Sequence, residues 1–246
     1  MTAPSQSAVA IIGSTGLVGS HILSNLLTLD TYQPIHTITR RAPKPTSASL
    51  NAVIDTDTTK WAPALSGLSP LPSAVFSALG TTRAAAGGIN NQWKIDHDLN
   101  IELAKAAKAA GVKTFVFVSS AGTRGALAGL SPYVKMKNGV EDTVKELDFD
   151  QAIIIKPAVI LGNREQSRLV ESIAQSAVRS LSYLAMGLQD KLGQEAEVIA
   201  RAAIRAVQIA EEGKAPGKYW LVEPADIVKL GRTEWQGKHA DKVEKL

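Results

Sequence analysis

Tyr133 and Lys137 stand four residues apart in SPYVKMK, and on a helix that spacing puts both side chains on one face. A lysine beside a phenol favours the phenolate, drawing its pKa below the value of about 10 of a free tyrosine. Such a phenol exchanges a proton with a carbonyl or alcohol oxygen, and a serine hydroxyl can hold the same oxygen in place. Ser120, at the end of FVFVSS, is the candidate for that second contact. Taken singly each piece has a plainer use: a tyrosine at an interface, a lysine in solvent, and Ser119 or Ser120 as a helix or turn cap. Their order along the chain, behind a second motif near its start, is what joins them into a candidate catalytic set, with Ser119 read as lining a cofactor through its backbone.

That second motif begins with Ala8–Ile12, which runs apolar without alternation into Gly13, Gly16 and Gly19. An unbroken apolar run suits a strand buried on both faces. The glycines let the backbone turn sharply and bring its N–H groups close to a phosphate at the start of the next helix. That helix is expected over Leu17–Leu29, with Val18, Ile22, Leu26 and Leu29 on its apolar face. The spacing is GxxGxxG, a relative of the dinucleotide fingerprint, so Gly13, Ser14, Thr15, Gly16, Leu17, Val18 and Gly19 read as a phosphate loop. A tight strand-to-helix turn without a ligand is the alternative. No GKS or GKT follows the glycines, which excludes a P-loop enzyme. At the end of the second strand, expected over Pro34–Arg40, the acidic residue that would hold an adenosine ribose is missing, and Arg40 and Arg41 stand there instead. Two cations beside a ribose suit a 2′-phosphate, which favours NADP (NADPH) over NAD; a solvated basic loop is the plainer reading. The hydride that accompanies the phenol's proton would then belong to a nicotinamide.

The elements that must position these groups follow in order. Ala52–Asp55 reads as a third strand, Trp61–Leu68 as a short helix, and Ala74–Leu79 as a fourth strand. The loop LGTTRAAAGG follows it, offering Leu79, Gly80, Thr81, Thr82 and Arg83 to the pyrophosphate or nicotinamide. A long helix over Gln92–Ala110 stops at Gly111. Thr114–Val118 is the fifth strand, a helix spans Tyr133–Leu147, and Ala152–Ile155 is the sixth strand, closed by Lys156–Pro157. Strand and helix alternate throughout, so the fold class is α/β: a doubly wound, mostly parallel Rossmann sheet over residues 8–160. Residues 161–246 are more helical, with helices within Leu169–Leu184 and Gln194–Glu211, an edge strand over 217–222 and a short helix around Pro224–Leu230. They are expected to form a helical C-terminal cap on the substrate side, within a single domain 1–246.

Composition narrows the classes. With 246 residues, 45% hydrophobic and only 5% aromatic, the chain can bury one core built from Ala, Val, Ile and Leu. The absence of cysteine excludes disulfides and thiolate metal sites, and the four histidines show no HExxH spacing, so no metal site is expected. The net charge of +4 comes from scattered residues without a basic tract, which gives no nucleic-acid footprint. The apolar runs are too short to span a bilayer. MTAPSQS has neither the arginines of a transit peptide nor the apolar core of a signal peptide, and reads as a frayed tail.

The chain resembles the short-chain dehydrogenase/reductase superfamily in its atypical branch. More closely it resembles the fungal mitochondrial FMP52-like proteins and the animal HIV Tat-interactive oxidoreductase family (CC3/TIP30). The matching stretches are GSTGLVG, ALGTTRAAAGG, KIDHDLNIELAKAAKAAGVKTFVFVSSAG, SPYVKMK, ELDFDQAIIIKPAVILGNREQSR and ARAA, covering most of residues 8–168 in order. The resemblance implies an NADP(H)-dependent oxidoreductase acting on a small carbonyl or alcohol, with Ser120, Tyr133 and Lys137 as the catalytic trio. It also implies that Gly13 to Gly19 cradle the pyrophosphate, that Arg40 and Arg41 clamp the 2′-phosphate, and that Pro157 and Ala158 lie near the nicotinamide. A non-catalytic NADP(H)-binding scaffold is the alternative. Such relatives often supply an asparagine from the helix after strand four, and Asp96 falls near that place. After the lysine they show glycine then glutamate, where this chain has Asn138–Gly139, a pair expected to loosen the helix. Ala158 stands where relatives carry glycine. Arg164 and Arg168, after the last core strand, are further candidates to bind an acidic substrate or the cofactor, with salt-bridged parts of the cap as the equal alternative. The resemblance places the protein peripherally on the mitochondrial outer membrane, with the cytoplasm as alternative, as a monomer or homodimer.

Overall fold

The computed structural model describes residues 7–124, 131–162 and 193–236. Seven parallel strands form the main sheet in the order β3-β2-β1-β4-β5-β6-β9. They are β1 (Ser7–Ile12), β2 (Tyr32–Thr39), β3 (Leu50–Ile54), β4 (Ala74–Ser77), β5 (Thr114–Val118), β6 (Gln151–Ile155) and β9 (Tyr219–Val222). Because helices cover both faces, the central strands β1, β4, β5 and β6 are buried nearly throughout, which is why they read as unbroken apolar runs.

Strand alternation divides the core into two layers. Val9, Ile11, Phe76, Val116, Ile153 and Ile155 face α1 (Leu17–Leu29) and α7 (Ala196–Glu211), which present Ile22 and Leu26, and Ile199, Ala203 and Ile204. Ala10, Ile12, Val75, Phe115, Phe117 and Ile154 face α2 (Trp61–Ser66), α5 (Leu99–Ala110) and α6 (Pro132–Glu146). Each fully buried Leu or Ile side chain contributes about 1.5–3 kcal/mol.

The helix expected over Gln92–Ala110 is longer and interrupted. It begins as α4 (Ile89–Trp93), passes through a π turn at Lys94–Asp98, and continues as α5 to a C-cap at Gly111 with φ +93°. The loop after β4 contains a single helical turn, α3 (Arg83–Ala86), whose Ala85 N–H donates to the Thr82 hydroxyl at 3.1 Å. Glycine 139 does not break α6, which is continuous from Pro132 to Glu146.

The C-terminal stretch differs from a simple cap in its described part. Helix α7 lies in the layer beside α1, Tyr32 at the start of β2 donates to Glu211 at 2.7 Å, and β9 extends the main sheet beside β6. The helix expected from Gln194 starts at Ala196, because Gly193–Glu195 form β8, paired in parallel with β7 (Val159–Leu161) as a separate two-stranded sheet. The chain closes through α8 (Pro224–Val228) and a π turn at Lys229–Thr233. The helix expected within Leu169–Leu184, and the frayed tail up to Gln6, lie outside the described residues. Among the described residues no helix is long and apolar enough to cross a membrane.

Candidate active site

The strand order reverses between β1 and β4, so a crevice opens at the C-terminal ends of the strands there. Gly13 forms its floor with φ +82°, and a Cβ at that position would lie 2.9 Å from the Ala78 carbonyl. The Gly16 N–H closes the turn on the Gly13 carbonyl at 2.9 Å. A Cβ on Gly19 would collide with that same carbonyl oxygen, so the third glycine lets α1 pack directly on the turn. No side chain caps α1, leaving its first N–H groups directed at the crevice. Ser14 is buried, and its hydroxyl has no partner among the described residues. Buried hydroxyls are ordinarily bonded. An uncapped helix start, a cradle with no room for Cβ atoms and an orphaned hydroxyl together fit a dinucleotide diphosphate. Thr15 and Leu17 are half-buried at its rim, while Val18 packs into the core.

Arg40 and Arg41 follow β2 at the same end of the sheet, both exposed. Among the described residues neither guanidinium is held by a hydrogen bond or ion pair, while the Thr39 hydroxyl fixes the turn by donating to the Arg41 carbonyl at 2.5 Å. The nearby carboxylate at the end of β3, Asp55, accepts from the Asp57 N–H at 2.9 Å and pairs with Lys60 at 3.6 Å. It is occupied by its own turn.

The loop Leu79–Arg83 after β4 is held from the α4–α5 helix. Asp96 Oδ1 accepts the Thr81 N–H at 2.7 Å, and Gln92 Nε2 donates to Asp96 Oδ2 at 3.2 Å and to the Thr81 carbonyl at 3.3 Å. Asn100, fully buried, accepts from the Ser77 hydroxyl at 2.6 Å and donates to the Ile95 and Asp96 carbonyls at 3.1 and 3.3 Å. Sequence reasoning passed over Gln92 and Asn100; the available signal was their place among the apolar positions of one helix. Thr82 caps α3, and Arg83 is exposed.

At the end of β5, Lys137 reaches back from α6. It is 5% exposed, donates from Nζ to the Val118 carbonyl at 2.9 Å, and lies 4.7 Å from the Phe117 ring centroid and 6.0 Å from that of Tyr133. Burial pushes its pKa down to about 8, against the pull of the Asp96 and Glu141 carboxylates. Tyr133 is 38% exposed in the first turn of α6, so its ring is open to a substrate. Ser120 is half-buried, its hydroxyl reaching the Ala121 carbonyl at a long 3.4 Å. Across from it, the Pro157 carbonyl accepts the Ala121 N–H at 2.8 Å, and the Ala158 N–H donates to the buried Gln194 side chain at 2.8 Å.

Behind this surface lies a charged cluster that the sequence did not reveal. Ser119 is buried and its hydroxyl donates to Glu141 Oε1. Glu141 pairs with Lys156 at 3.3 Å, and Lys156 Nζ also donates to the Thr123 hydroxyl at 2.9 Å. Arg124 comes within 3.5 Å of Glu141 and pairs with Asp142 at 2.5 Å. The ends of β5 and β6 and the middle of α6 are thereby tied at one buried point. Gly139 has its own reason: a Cβ there would collide with the His97 imidazole of the π turn, which nests against α6.

The strand ends thus bring the glycine turn, the Leu79–Arg83 loop, Ser119, Ser120, Pro157 and Ala158 to one edge of the sheet, with Tyr133 and Lys137 on α6 beside them. Arg164 and Arg168 lie outside the described residues. Among the described residues no group of three His, Cys, Asp or Glu side chains is placed to hold a metal ion.

Residues 9–191 match the NAD dependent epimerase/dehydratase family. The chain is 59% identical over 227 residues to Protein FMP52, mitochondrial, of Chaetomium globosum, covering 92% of this chain and 97% of that protein. It is 57% identical over 241 residues to Protein fmp-52, mitochondrial, of Neurospora crassa, covering 96% and 100%. Among solved structures, the Bordetella bronchiseptica enzyme WbmH in complex with NAD+ shares the fold with a TM-score of 0.61 at 20% identity, over 82% of this chain and 72% of that one.

Proposed function

This chain belongs to the NAD dependent epimerase/dehydratase family and to the FMP52 group of proteins, and from that premise we propose that it is an NADP(H)-dependent oxidoreductase of small carbonyl or alcohol substrates. The observation that carries the reading is Lys137, an ammonium buried between Tyr133 and the end of β5. A bound nicotinamide would supply or accept the hydride. Its diphosphate would lie on the N–H groups of Gly13–Gly19 with the Ser14 hydroxyl donating to it, and Arg40 and Arg41 would take the 2′-phosphate. Leu79, Gly80, Thr81, Thr82 and Arg83 would cover it from the β4 side, and Ser119, Pro157 and Ala158 would lie on the other.

In the direction of reduction, Tyr133 gives its phenolic proton to the substrate oxygen, and Ser120 donates a hydrogen bond to the same atom. The Lys137 ammonium lowers the cost of the phenolate left on Tyr133. With its pKa near 8 it keeps that charge at neutral pH and loses it in mild alkali. The relatives' names support a mitochondrial location; peripheral attachment to the outer membrane is part of the proposal, with the cytoplasm as the alternative.

NADPH consumption measured across aldehydes, ketones and quinones tests the activity. Turnover by the parent, a drop of about 100-fold or more in Tyr133→Phe and unchanged cofactor affinity support it. Cofactor binding without turnover of any substrate would replace the enzyme by a binding scaffold.

A further inference from the structure

Pro157 and Ala158 lie between β6 and β7, and the peptide group that joins them is fixed from both sides. Its carbonyl accepts the Ala121 N–H at 2.8 Å, from the turn that carries Ser120. Its N–H donates to Gln194 Oε1 at 2.8 Å. Gln194 is 0% exposed and stands in β8, in register with Ile160 of β7. Gly193 lets the two strands lie close, since a Cβ there would stand 3.0 Å from the Val159 carbonyl. Two residues beyond Gln194 α7 begins, and its Ala196 and Ile199 root it in the layer beside α1. Just past β7, Gly162 lies against the rim of the glycine cradle, where a Cβ would stand 2.9 Å from the Leu17 side chain. The short β7–β8 sheet therefore runs from the Ser120 turn to the cradle.

We propose that Gln194 is a positioning residue: its side-chain oxygen fixes the plane of the Pro157–Ala158 peptide, and that plane sets the wall against which the nicotinamide lies. The inference rests on the proposed dinucleotide site, in which Pro157 and Ala158 flank the nicotinamide. Burying an amide side chain costs free energy that a leucine of similar volume would not incur, unless the amide is hydrogen-bonded. The bond to Ala158 offsets that cost and does what no leucine can. Pro157 has no N–H, and Ala158 falls between the end of β6 at Ile155 and the start of β7 at Val159, so sheet pairing does not hold this peptide. With its carbonyl tied to Ala121 and its N–H to Gln194, the plane cannot rotate without breaking one of the two bonds. Through Ala121 the same peptide steadies the backbone next to Ser120.

Amide exchange followed by NMR in cofactor-free protein reads the bond. Calorimetry with NADPH and with 2′-phospho-ADP-ribose, which lacks the nicotinamide, reads the positioning. In Gln194→Leu the Ala158 amide exchanges about tenfold faster or more, while the Ser119 amide, bonded to the Ile155 carbonyl at 2.8 Å, keeps its protection. NADPH binds about fivefold more weakly, the worth of one neutral hydrogen bond, while the fragment binds as in the parent. Gln194→Glu, whose carboxyl keeps an accepting oxygen, restores both readings. A general loosening of the fold would instead weaken NADPH and the fragment alike. That result, or NADPH affinity in the Leu variant equal to the parent's, overturns the positioning role, and an Ala158 amide that exchanges as in the parent overturns the bond. Should Gln194→Leu not fold, the parent decides: its Ala158 and Gln194 side-chain amide resonances shift with NADPH and stay with the fragment, and resonances that ignore the nicotinamide overturn the proposal. A parent that binds neither compound brings down the proposed function and the positioning with it. A parent that binds both, with a Leu variant that matches it, leaves the function standing and removes Gln194 alone.

Discussion

Replacing Glu141 by leucine strands the Lys156 ammonium at 3% exposure, with the Thr123 hydroxyl as its remaining neighbour among the described residues. Breaking a buried pair from one side costs about 3–5 kcal/mol, because the surviving charge has lost its counter-ion in a poorly solvated place. The Ser119 hydroxyl loses its acceptor as well, adding about 1–3 kcal/mol for a buried donor left unmade. Arg124 contributes little to this sum, since it is exposed and keeps Asp142. Adding Lys156→Met removes the stranded charge and leaves only hydroxyls unsatisfied. The double variant is therefore more stable than Glu141→Leu alone by about 2 kcal/mol or more. Urea unfolding of the parent, both single variants and the double, with matching m-values, measures this directly. Costs that simply add would refute the reasoning, since additivity means that Glu141 and Lys156 do not interact.

Gly139→Ala gains helix propensity of about 1 kcal/mol but drives a methyl into His97, so the gain appears only in a His97→Ala background, as a rise in melting temperature absent from the parent. His36 is buried with Nε2 lacking a partner among the described residues, and burial lowers its pKa against a contact with the Pro70 backbone. The folded state then prefers the neutral ring, so its stability is complete above a pH of about 6.5 and declines as pH falls toward the lower folded value. Replacing His36 by leucine flattens that acid limb in unfolding titrations; an unchanged slope would show that other groups cause it.

Leu17–Leu29 and Thr114–Val118 were legible to the residue, because an unbroken apolar run, a turn of glycines or a 3.6-residue stripe each leaves one solution. Strands β7 and β8 were not, since three residues carry too little periodicity to register. The stripe of α7 announced a helix, yet an alanine-rich face reads the same in a cap as in the layer beside α1. In the candidate site, glycine spacing and the Tyr133–Lys137 interval were visible because both are local. Nothing along the sequence marks Glu141 and Lys156 as buried, and Asp96 stands out only through its place near the relatives' asparagine. Their burial depends on partners contributed by other strands and helices, which spacing along the chain does not encode.

The proposed function stands on NADP(H) binding by the Gly13–Gly19 cradle and the arginines after β2. Calorimetric titration of the parent with NADPH and NADH, repeated on Arg40→Ser/Arg41→Ser, tests it most directly. NADPH is expected to bind at least about tenfold tighter than NADH, with that preference lost in the double variant while NADH affinity is retained. Absence of binding by either cofactor at millimolar concentration, or a preference for NADPH that survives the loss of both arginines, would contradict it.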